Sequence, residues 1–393
     1  MARLIKYHTK KGKILVLDGM WNKSLAAVRS LGHRGFEITV GEWTRFATAL
    51  FSRYCSRRVV YPSPVLTPGK FLSWLLDEIR TNSYDMVLPT ELSTQMLLAK
   101  NRSDIERYTR FPFADHDLTV DIQDKAWLMR YAIDNGIPCP VTLFPESIRS
   151  VEAMREKVAY PVVIKPRVSS GSRGIVYVEK PDDLVASYKS VHGKYPSPII
   201  QEFIPNGGAY GVGALLNFNS KPRASFVYRR LREYPVSGGP STLRESVNNE
   251  GIRHMGLEIL ESLKWTGIAM VEFKVDSRDS RPKLLEINPR FWGSLQLAIL
   301  SGVDFPYLLY KLAMKRDIDP INSYKTGVKS RWLIPGDLMN FIHNPNRFRM
   351  IPAFLSVKAK DDILSFDDPM PVLGRISSLL PLIYKREFRK IIS

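Results

Sequence analysis

The clearest hydrophobic pattern in the chain is a pair of alternating segments around residue 280. Met270-Val271-Glu272-Phe273-Lys274 and Leu284-Leu285-Glu286-Ile287-Asn288-Pro289-Arg290 both read as strands. Side chains two apart share a face, so Glu272 lies with Met270 and Lys274, and Glu286 with Asn288. The polar stretch from Ser277 to Pro282 predicts the turn of a hairpin. Pairing the two strands would bring two carboxylates and an amide onto one face. Hard oxygen ligands of this kind hold magnesium, with phosphate and water completing the shell. Arg290, just past them, would be placed to grip a phosphate oxygen in a bidentate fork. An ordinary hairpin with its acids facing water shows the same alternation, so the pattern needs support from elsewhere.

Earlier segments predict a different layout. Ile14 to Gly19 is a buried strand ending in a turn, Leu25 to Ser30 a helix, Glu37 to Val40 a second strand, Phe71 to Arg80 a helix and Tyr84 to Pro89 another strand. Strands alternating with helices predict a parallel α/β unit whose crevice lies at the strands' carboxyl ends, near 19–22 and 89–91. Glu91 there either faces the active site or simply complements a helix N-terminus. No Gly-x-Gly-x-x-Gly follows the first strand, so a dinucleotide site is not expected.

Near residue 115 the character changes. Asp124-Lys125 opens a helix that ends at Asn135-Gly136-Ile137-Pro138. Ala159 to Pro166 is a strand with Lys165 at its end, and Gly174 to Glu179 is the returning strand. Between them, 168–174 contains Ser169, Ser170, Gly171, Ser172 and Gly174. Such a loop can turn its backbone N–H groups onto a phosphate chain, or be no more than a flexible hairpin tip. Gln201-Glu202-Phe203-Ile204 lies in an apolar strand interrupted by polar residues. Strands follow at 210–218 and 224–231, and helices at 252–263 and 291–301. His254 and Glu258 sit one helical turn apart, a spacing explained by packing more readily than by a metal. On a strand Arg230 and Arg232 face the same way, and side-by-side guanidinium groups repel unless an anion lies between them or each has an acid nearby. With the Ser237-Gly238-Gly239-Pro240-Ser241-Thr242 loop they suggest a site for a substrate carboxylate or a triphosphate.

Composition narrows the classes. The 393 residues are enough for two or three domains. No run of about 18 apolar residues is present, and the first residues do not form a signal peptide, so a cytoplasmic protein is expected. Cys55 and Cys139 stand alone, as suits a reducing compartment. The chain carries 57 Lys and Arg against 39 Asp and Glu, a net charge of +18. That attracts polyanions in general without selecting one. No zinc-finger, RNP or helix-turn-helix signature is present, so no sequence-specific nucleic-acid partner is expected. The segment Ile376 to Arg386 mixes apolar and basic residues. It reads either as a helix packed on the core or as a weak contact with an anionic membrane surface at the inner face, and Pro381 should interrupt a long helix there.

In order, Asp124-Lys125, Val163-Ile164-Lys165-Pro166, the 168–174 loop, Gln201 to Ile204, and Glu272 with Glu286-Ile287-Asn288-Pro289-Arg290 resemble the ATP-grasp superfamily. The similarity is to its carbamoyl-phosphate-synthetase and biotin-carboxylase-like carboxylate–amine ligase branch, over about residues 12–315. The resemblance implies an α/β, α+β ATP-grasp fold in four parts: an N-terminal α/β domain (1–115), a lid subdomain (116–195), a catalytic subdomain (196–325) and a basic C-terminal extension (326–393). It implies Lys125 and Lys165 on the nucleotide phosphates and the loop closing over them. It implies Gln201, Glu202, Phe203 and Ile204 along the adenine, and Glu272, Glu286 and Asn288 on Mg2+ (or Mn2+), with Arg290 steadying the transferred phosphoryl group. Arg230 and Arg232 would serve the substrate. The implied reaction uses ATP to activate a carboxylate as an acyl phosphate, which an amine then captures. Asn206 to Tyr210 lacks the acidic residue that often binds the ribose in this family. Two rivals remain: a kinase-like use of the same fold, and a nucleotide-regulated protein that binds polyanions or membrane surfaces. A homodimer is expected by analogy alone.

Overall fold

The computed structural model describes residues 11–169, 171–236 and 238–384, with residues 380–384 as backbone alone. Of the residues singled out above, Ser170 and Ser237 lie outside the described residues, as does 385–386 of the basic C-terminal stretch.

The first sheet is β1 (Lys13–Val16), β2 (Glu37–Glu42), β3 (Arg57–Val60) and β4 (Met86–Leu88), all parallel in the order β3-β2-β1-β4. Ile14, Leu15 and Val16 are all fully buried, as strands covered on both faces require. Helices Asn22–His33 and Pro68–Asn82 make the crossovers. The strands' carboxyl ends bring Asp18, Glu42, Thr90 and Glu91 to one edge. Asp18 organises that edge. Its carboxylate accepts from the backbone N–H of Thr90 (2.9 Å) and Glu91 (2.8 Å) and from the Thr94 hydroxyl (2.6 Å).

The second sheet is β5 (Thr142–Leu143), β6 (Val162–Lys165), β7 (Val176–Val178) and β8 (Ile199–Glu202), antiparallel in the order β5-β8-β6-β7. Helices Ile148–Met154 and Pro181–His192 cover it with a small core of its own, including Val151, Ile164, Leu184 and Tyr188. The 168–174 loop is therefore the tip of the β6–β7 hairpin.

The third sheet has seven strands in the order β13-β12-β9-β10-β11-β14-β15: β9 (Asn206–Leu216), β10 (Pro222–Glu233), β11 (Ser241–Ser246), β12 (Gly267–Asp276), β13 (Pro282–Asn288), β14 (Lys329–Arg331) and β15 (Lys360–Asp361). Its two faces follow the period of two. Leu215, Phe226, Tyr228, Ile268 and Met270 join the core shared with the first sheet. Val212, Ala214, Val227, Ala269, Val271 and Phe273 pack instead with helices Lys125–Asp134 and Glu250–Ser262. By the same alternation Glu272 lies on the Met270 face, where the apolar patch shared with the N-terminal unit gives way to polar groups.

Three expectations from the sequence shift. Ser241 and Thr242 belong to β11 rather than to a loop. The helix expected from 291 begins at Leu295, because Phe291 and Trp292 are fully buried anchors first. The C-terminal extension supplies β14 and β15 to the large sheet and then a helix, Pro371–Tyr384, which runs through Pro381. Pro381 removes one ladder bond, that to the Ser377 carbonyl, and the helix continues only to Tyr384 beyond it.

That helix lies on the segment Thr48–Phe51, so closely that a Cβ on Gly374 would come within 2.7 Å of the Phe51 ring. The extension is further tied down by Arg29, whose guanidinium donates to the Asp368 carboxylate (2.9 Å) and to the carbonyls of Asp362 (3.1 Å) and Ile363 (2.8 Å), and by the buried Arg244–Asp362 pair. The packed-helix alternative thus describes residues 371–379. Among the described residues no helix is long and apolar enough to cross a membrane.

Close strand-to-core contact makes one glycine indispensable. A Cβ on Gly213 of β9 would sit 2.3 Å from the Trp292 ring, whereas one on Gly69 would meet nothing within 4 Å. Gly213→Ala should therefore destabilise the protein by about 1–3 kcal/mol through overpacking, while Gly69→Ala should be neutral or slightly stabilising. Chemical denaturation of the two variants checks this.

Candidate active site

β12 and β13 pair in the register Met270↔Asn288 and Glu272↔Glu286, so the two acids stand directly opposite each other. The Asn288 amide bridges them, its Nδ2 donating to Glu286 Oε1 at 3.0 Å and to Glu272 Oε1 at 3.5 Å. Like charges in this position repel, and the Glu272 side chain is buried while that of Glu286 is half-buried. Burial is the largest influence on both. It pushes Glu272 up to about 7, with Glu286 adding to the rise and the contacting Arg230 guanidinium opposing it. For Glu286 burial is outweighed by Lys125, Asn288, Arg230 and Arg290, which hold its carboxyl below the usual range. The two acids are thus pushed apart, the usual response of carboxylates that share one site.

The donor set fits a nucleotide-bound divalent cation. It comprises two carboxylates and one amide, whose oxygen faces the acids if the amide turns over. Among the described residues no group of three His, Cys, Asp or Glu is placed to enclose a metal on its own. A partial oxygen set of this kind suits magnesium, which takes its remaining ligands from phosphate and water. His254 and Glu258 form an exposed ion pair at 3.0 Å on the surface of helix Glu250–Ser262.

Cations converge on this face from three directions. Lys125 is the first residue of its helix, after the Asp124 N-cap, whose carboxylate accepts from Ala126 N–H at 2.9 Å. The cap is tied to the end of β6: Arg167 pairs with Asp124, and Lys125 N–H donates to the Arg167 carbonyl at 2.9 Å. The helix start is thereby held where Lys125 Nζ lies 3.8 Å from Glu286 and 2.9 Å from the Ser169 carbonyl of the loop. Lys165, at the end of β6, is pushed down to about 8 by burial and by nearby Lys125. From the large sheet comes Arg230, buried, its guanidinium against Glu272 and 3.6 Å from Glu233. Arg290 donates to its neighbour's carbonyl, Phe291 O, at 2.9 Å. Gln95 of the N-terminal unit holds the preceding Pro289 carbonyl at 2.6 Å.

The loop has the backbone expected of a turn that can present N–H groups. Gly171 (φ +65°), Ser172 (+62°) and Gly174 (+71°) are all left-handed. Gly174 also has no room for a side chain, since a Cβ would lie 2.6 Å from the Tyr195 ring.

Gln201 and Glu202 end β8, and the chain passes from there through Phe203 and Ile204 into β9 of the large sheet. Their side chains are spent locally. Gln201 donates to the Thr142 hydroxyl at 2.8 Å, and Glu202 pairs with Lys283 and Arg278 (both 2.9 Å). What this segment can offer a ligand is its backbone and the Phe203 ring. Lys274 lies over that ring at 5.0 Å, and Tyr177 meets its edge at 6.0 Å.

Arg232 requires a correction. It does not stand beside Arg230 awaiting an anion. Its guanidinium is bidentate to the fully buried Asp337 carboxylate, at 2.8 and 2.6 Å. The cause is a β-bulge: Arg230 faces Arg244 on β11 and Arg232 faces Leu243, leaving Leu231 unmatched.

Two relevant residues escaped the sequence reading. Lys274 appeared there only as a neighbour on the Glu272 face. Lys23, from the first turns of helix Asn22–His33, is buried and pairs with Glu91 at 2.6 Å. Burial pushes its amine down to about 8, with Arg290 reinforcing the shift, which places this pair near Arg290. Glu91 had been noted at the crevice, but nothing in the local pattern linked Lys23, some 70 residues earlier, to it.

Comparison with known proteins agrees with this geometry. Residues 219–334 match the family model described as "ATP-grasp in the biosynthetic pathway with Ter operon". The chain is 24% identical over 225 residues to D-aspartate ligase of Enterococcus faecium, covering 53% of each. It is 24% identical over 215 residues to D-alanine--D-alanine ligase of Pelotomaculum thermopropionicum, covering 48% of this chain and 66% of that one. It spans about half the length of the first of these relatives. Among solved structures, biotin carboxylase from Campylobacter jejuni superposes with a TM-score of 0.67 at 16% identity, over 81% of this chain and 74% of that one. N5-carboxyaminoimidazole synthetase from Staphylococcus aureus gives 0.62 at 13% identity, over 81% of each chain. A parallel α/β unit, a hairpin-tipped second sheet and paired acids on a large antiparallel sheet, in the expected order, give the chain the fold of these solved structures, and its residues 219–334 match an ATP-grasp family model.

Proposed function

We propose that this protein is an ATP- and magnesium-dependent ligase that activates a carboxylate and joins it to an amine. The observation that carries the reading is the Glu272↔Glu286 register, bridged by Asn288 and ringed by Lys125, Arg230 and Arg290. The relatives named D-aspartate ligase and D-alanine--D-alanine ligase support the reaction class.

In this reading Glu272, Glu286 and Asn288 hold the magnesium, which neutralises charge on the phosphate oxygens. Lys125 and Lys165 bind the phosphates of ATP, and the 168–174 loop, with Ser169, Gly171, Ser172 and Gly174, covers them. The backbone of 201–204 and the Phe203 ring receive the adenine. The substrate carboxylate attacks the γ-phosphorus, ADP leaves, and the acyl phosphate forms. The amine then displaces inorganic phosphate to give the amide. Arg230 and Arg290 offset charge that develops on the transferred group and the substrate carboxylate. No covalent enzyme intermediate is needed. Closure of the loop protects the anhydride from water.

ADP release with magnesium-ATP, screened against pools of amino acids and small acids, tests the assignment. Release should depend on one acid–amine pair and yield free phosphate, and Glu286→Ala should lower it by roughly 100-fold or more. A stable phosphorylated acid without amine dependence would instead indicate the kinase-like reaction. Salt-sensitive polyanion binding that survives Glu286→Ala, with no ADP release, would sink the ligase reading.

The two arginines should separate cleanly. Arg230→Ala should abolish turnover. Arg232→Ala leaves Asp337 charged and buried, and should cost about 3–5 kcal/mol of stability. Activity at low temperature and denaturation midpoints, measured on both variants, check the contrast.

A further inference from the structure

The C-terminal extension holds a second cavity, which shares no residue with the ATP-grasp site. It measures about 60 Å³ and lies between the segment after β14, the segment after β15 and the helix Pro371–Tyr384. Leu333, Ile334, Ile363, Leu364, Val372 and Ile376 form apolar walls. Two charged residues also line it, and they differ in kind.

Asp361 is satisfied. Its Oδ2 accepts from Leu333 N–H (2.9 Å), and its Oδ1 accepts from Ile363 N–H (2.9 Å) and Leu364 N–H (2.7 Å). That carboxylate is fastening the turn after β15.

Arg375 is not satisfied. The residue is only 9% exposed, its Nε has no hydrogen-bond partner, and among the described residues no acid pairs with it. Its guanidinium lies over the Trp332 ring, 5.5 Å away, whose own indole N–H is likewise buried and among the described residues has no partner. Burial alone pushes the guanidinium down to about 10, and no carboxylate offsets the shift. A ring face supports a cation but accepts none of the five N–H donors. Every other buried arginine described above, Arg29, Arg230, Arg232 and Arg244, has a carboxylate. A desolvated arginine retained without one is costly unless something else supplies the anion.

We propose that this cavity is a binding site for an aliphatic monocarboxylate, with its head on Arg375 and its chain running out between Leu364 and Ile376. Three features choose that chemistry. A single guanidinium balances a single negative charge, and the Asp361 carboxylate in the same wall disfavours a dianion such as phosphate. The forked N–H groups match a planar carboxylate in two-point contact. The walls are apolar, so alkyl carbons next to the head gain burial against them, and Leu364 (52% exposed) and Ile376 (48% exposed) line the opening through which the rest of the chain leaves.

The site also has a place in the architecture. Asp361 lies next to Asp362, which pairs with Arg244 of β11, and the helix carrying Arg375 rests on the N-terminal unit through Gly374. A carboxylate bound here would brace the joint between the large sheet and the N-terminal unit, at a distance from the nucleotide.

The test is a thermal-shift and calorimetric titration of the full chain with octanoate, octanol, inorganic phosphate and phosphatidylglycerol vesicles. Two variants accompany the wild type. Arg375→Met removes the charge at similar volume, and Ile376→Glu puts an acid at the mouth while leaving Arg375 in place. Octanoate should raise the wild-type melting temperature and bind saturably. Arg375→Met should weaken that binding at least tenfold, as should Ile376→Glu, and octanol and phosphate should give no comparable shift. Equal octanoate binding by wild type and Arg375→Met would overturn the proposal, as would no saturable octanoate binding by a folded wild type. Vesicle binding lost in Arg375→Met, without binding of free octanoate, would also overturn it and make the patch a lipid-surface contact. ADP release is not part of the readout, so failure here is distinct from failure of the ligase reading.

Discussion

Two carboxylates facing each other across a buried hairpin form the constraint around which the rest of the site is arranged. The Glu272↔Glu286 register sets two like charges against each other where Glu272 is buried, and this calls for compensation. Compensation arrives from separate parts of the chain: Arg230 from the neighbouring half of the same sheet, Lys125 from the helix under the lid, and Asn288 from the same strand as Glu286. The N-terminal unit contributes at one remove, since Gln95 holds the backbone just before Arg290 and the Lys23–Glu91 pair lies beside it. The lid and both large units are thus drawn to one point by electrostatics, and the apolar cores set the distances. Met270 and Tyr228, one position before Glu272 and Arg230 on the same face, belong to the core that the large sheet shares with the N-terminal unit. Packing of that core fixes how far the acids stand from the parallel sheet's edge.

The parts that were legible in the sequence are those written in local periodicity. Alternation at 270–274 and 284–290 gives the strand pairing and its face without further information, because a period of two leaves only one choice of face. The apolar run 14–17 and the helix–strand alternation after it give the parallel unit. Asp124 before Lys125 is a helix start recognisable from its cap, and the structure uses it as such. The lid loop was placed correctly as a hairpin tip because an apolar strand stands on either side of it.

What was not legible depends on partners far along the chain or on a break in the period. Arg230 and Arg232 look equivalent under simple alternation. One unmatched residue, Leu231, sends the second to Asp337, 105 positions away, and no count of spacing within the strand reveals that bulge. Lys23 precedes the helix expected over 25–30, and nothing in the local pattern singles it out. Its meaning comes from Glu91, brought alongside by the parallel order of β1 and β4. The extension 326–393 looked peripheral because its strands are only three and two residues long, too short to show a period, yet both extend the large sheet.

The same distinction bears on the net charge of +18, which by composition alone suggests a surface for polyanions. Part of that surplus is internal. Lys23, Lys125, Lys165, Lys274, Arg230 and Arg290 gather around one face, with Glu91, Glu233, Glu272 and Glu286 among the acids facing them. Burial has already lowered the affinity of Lys23, Lys165 and Lys274 for their protons, with Arg290 adding to the shift at Lys23 and Lys125 to that at Lys165. A metal-bound triphosphate and a carboxylate are the anions that would relieve the imbalance, and in relieving it they would draw the lid lysines and the sheet arginine toward one centre. On the proposed reading, that part of the surplus would belong to a ligand site rather than to a surface for nucleic acid. On the same reading, closure of the 168–174 loop would need no separate driving force, because the cations on both sides of the cleft would acquire the same counter-ion.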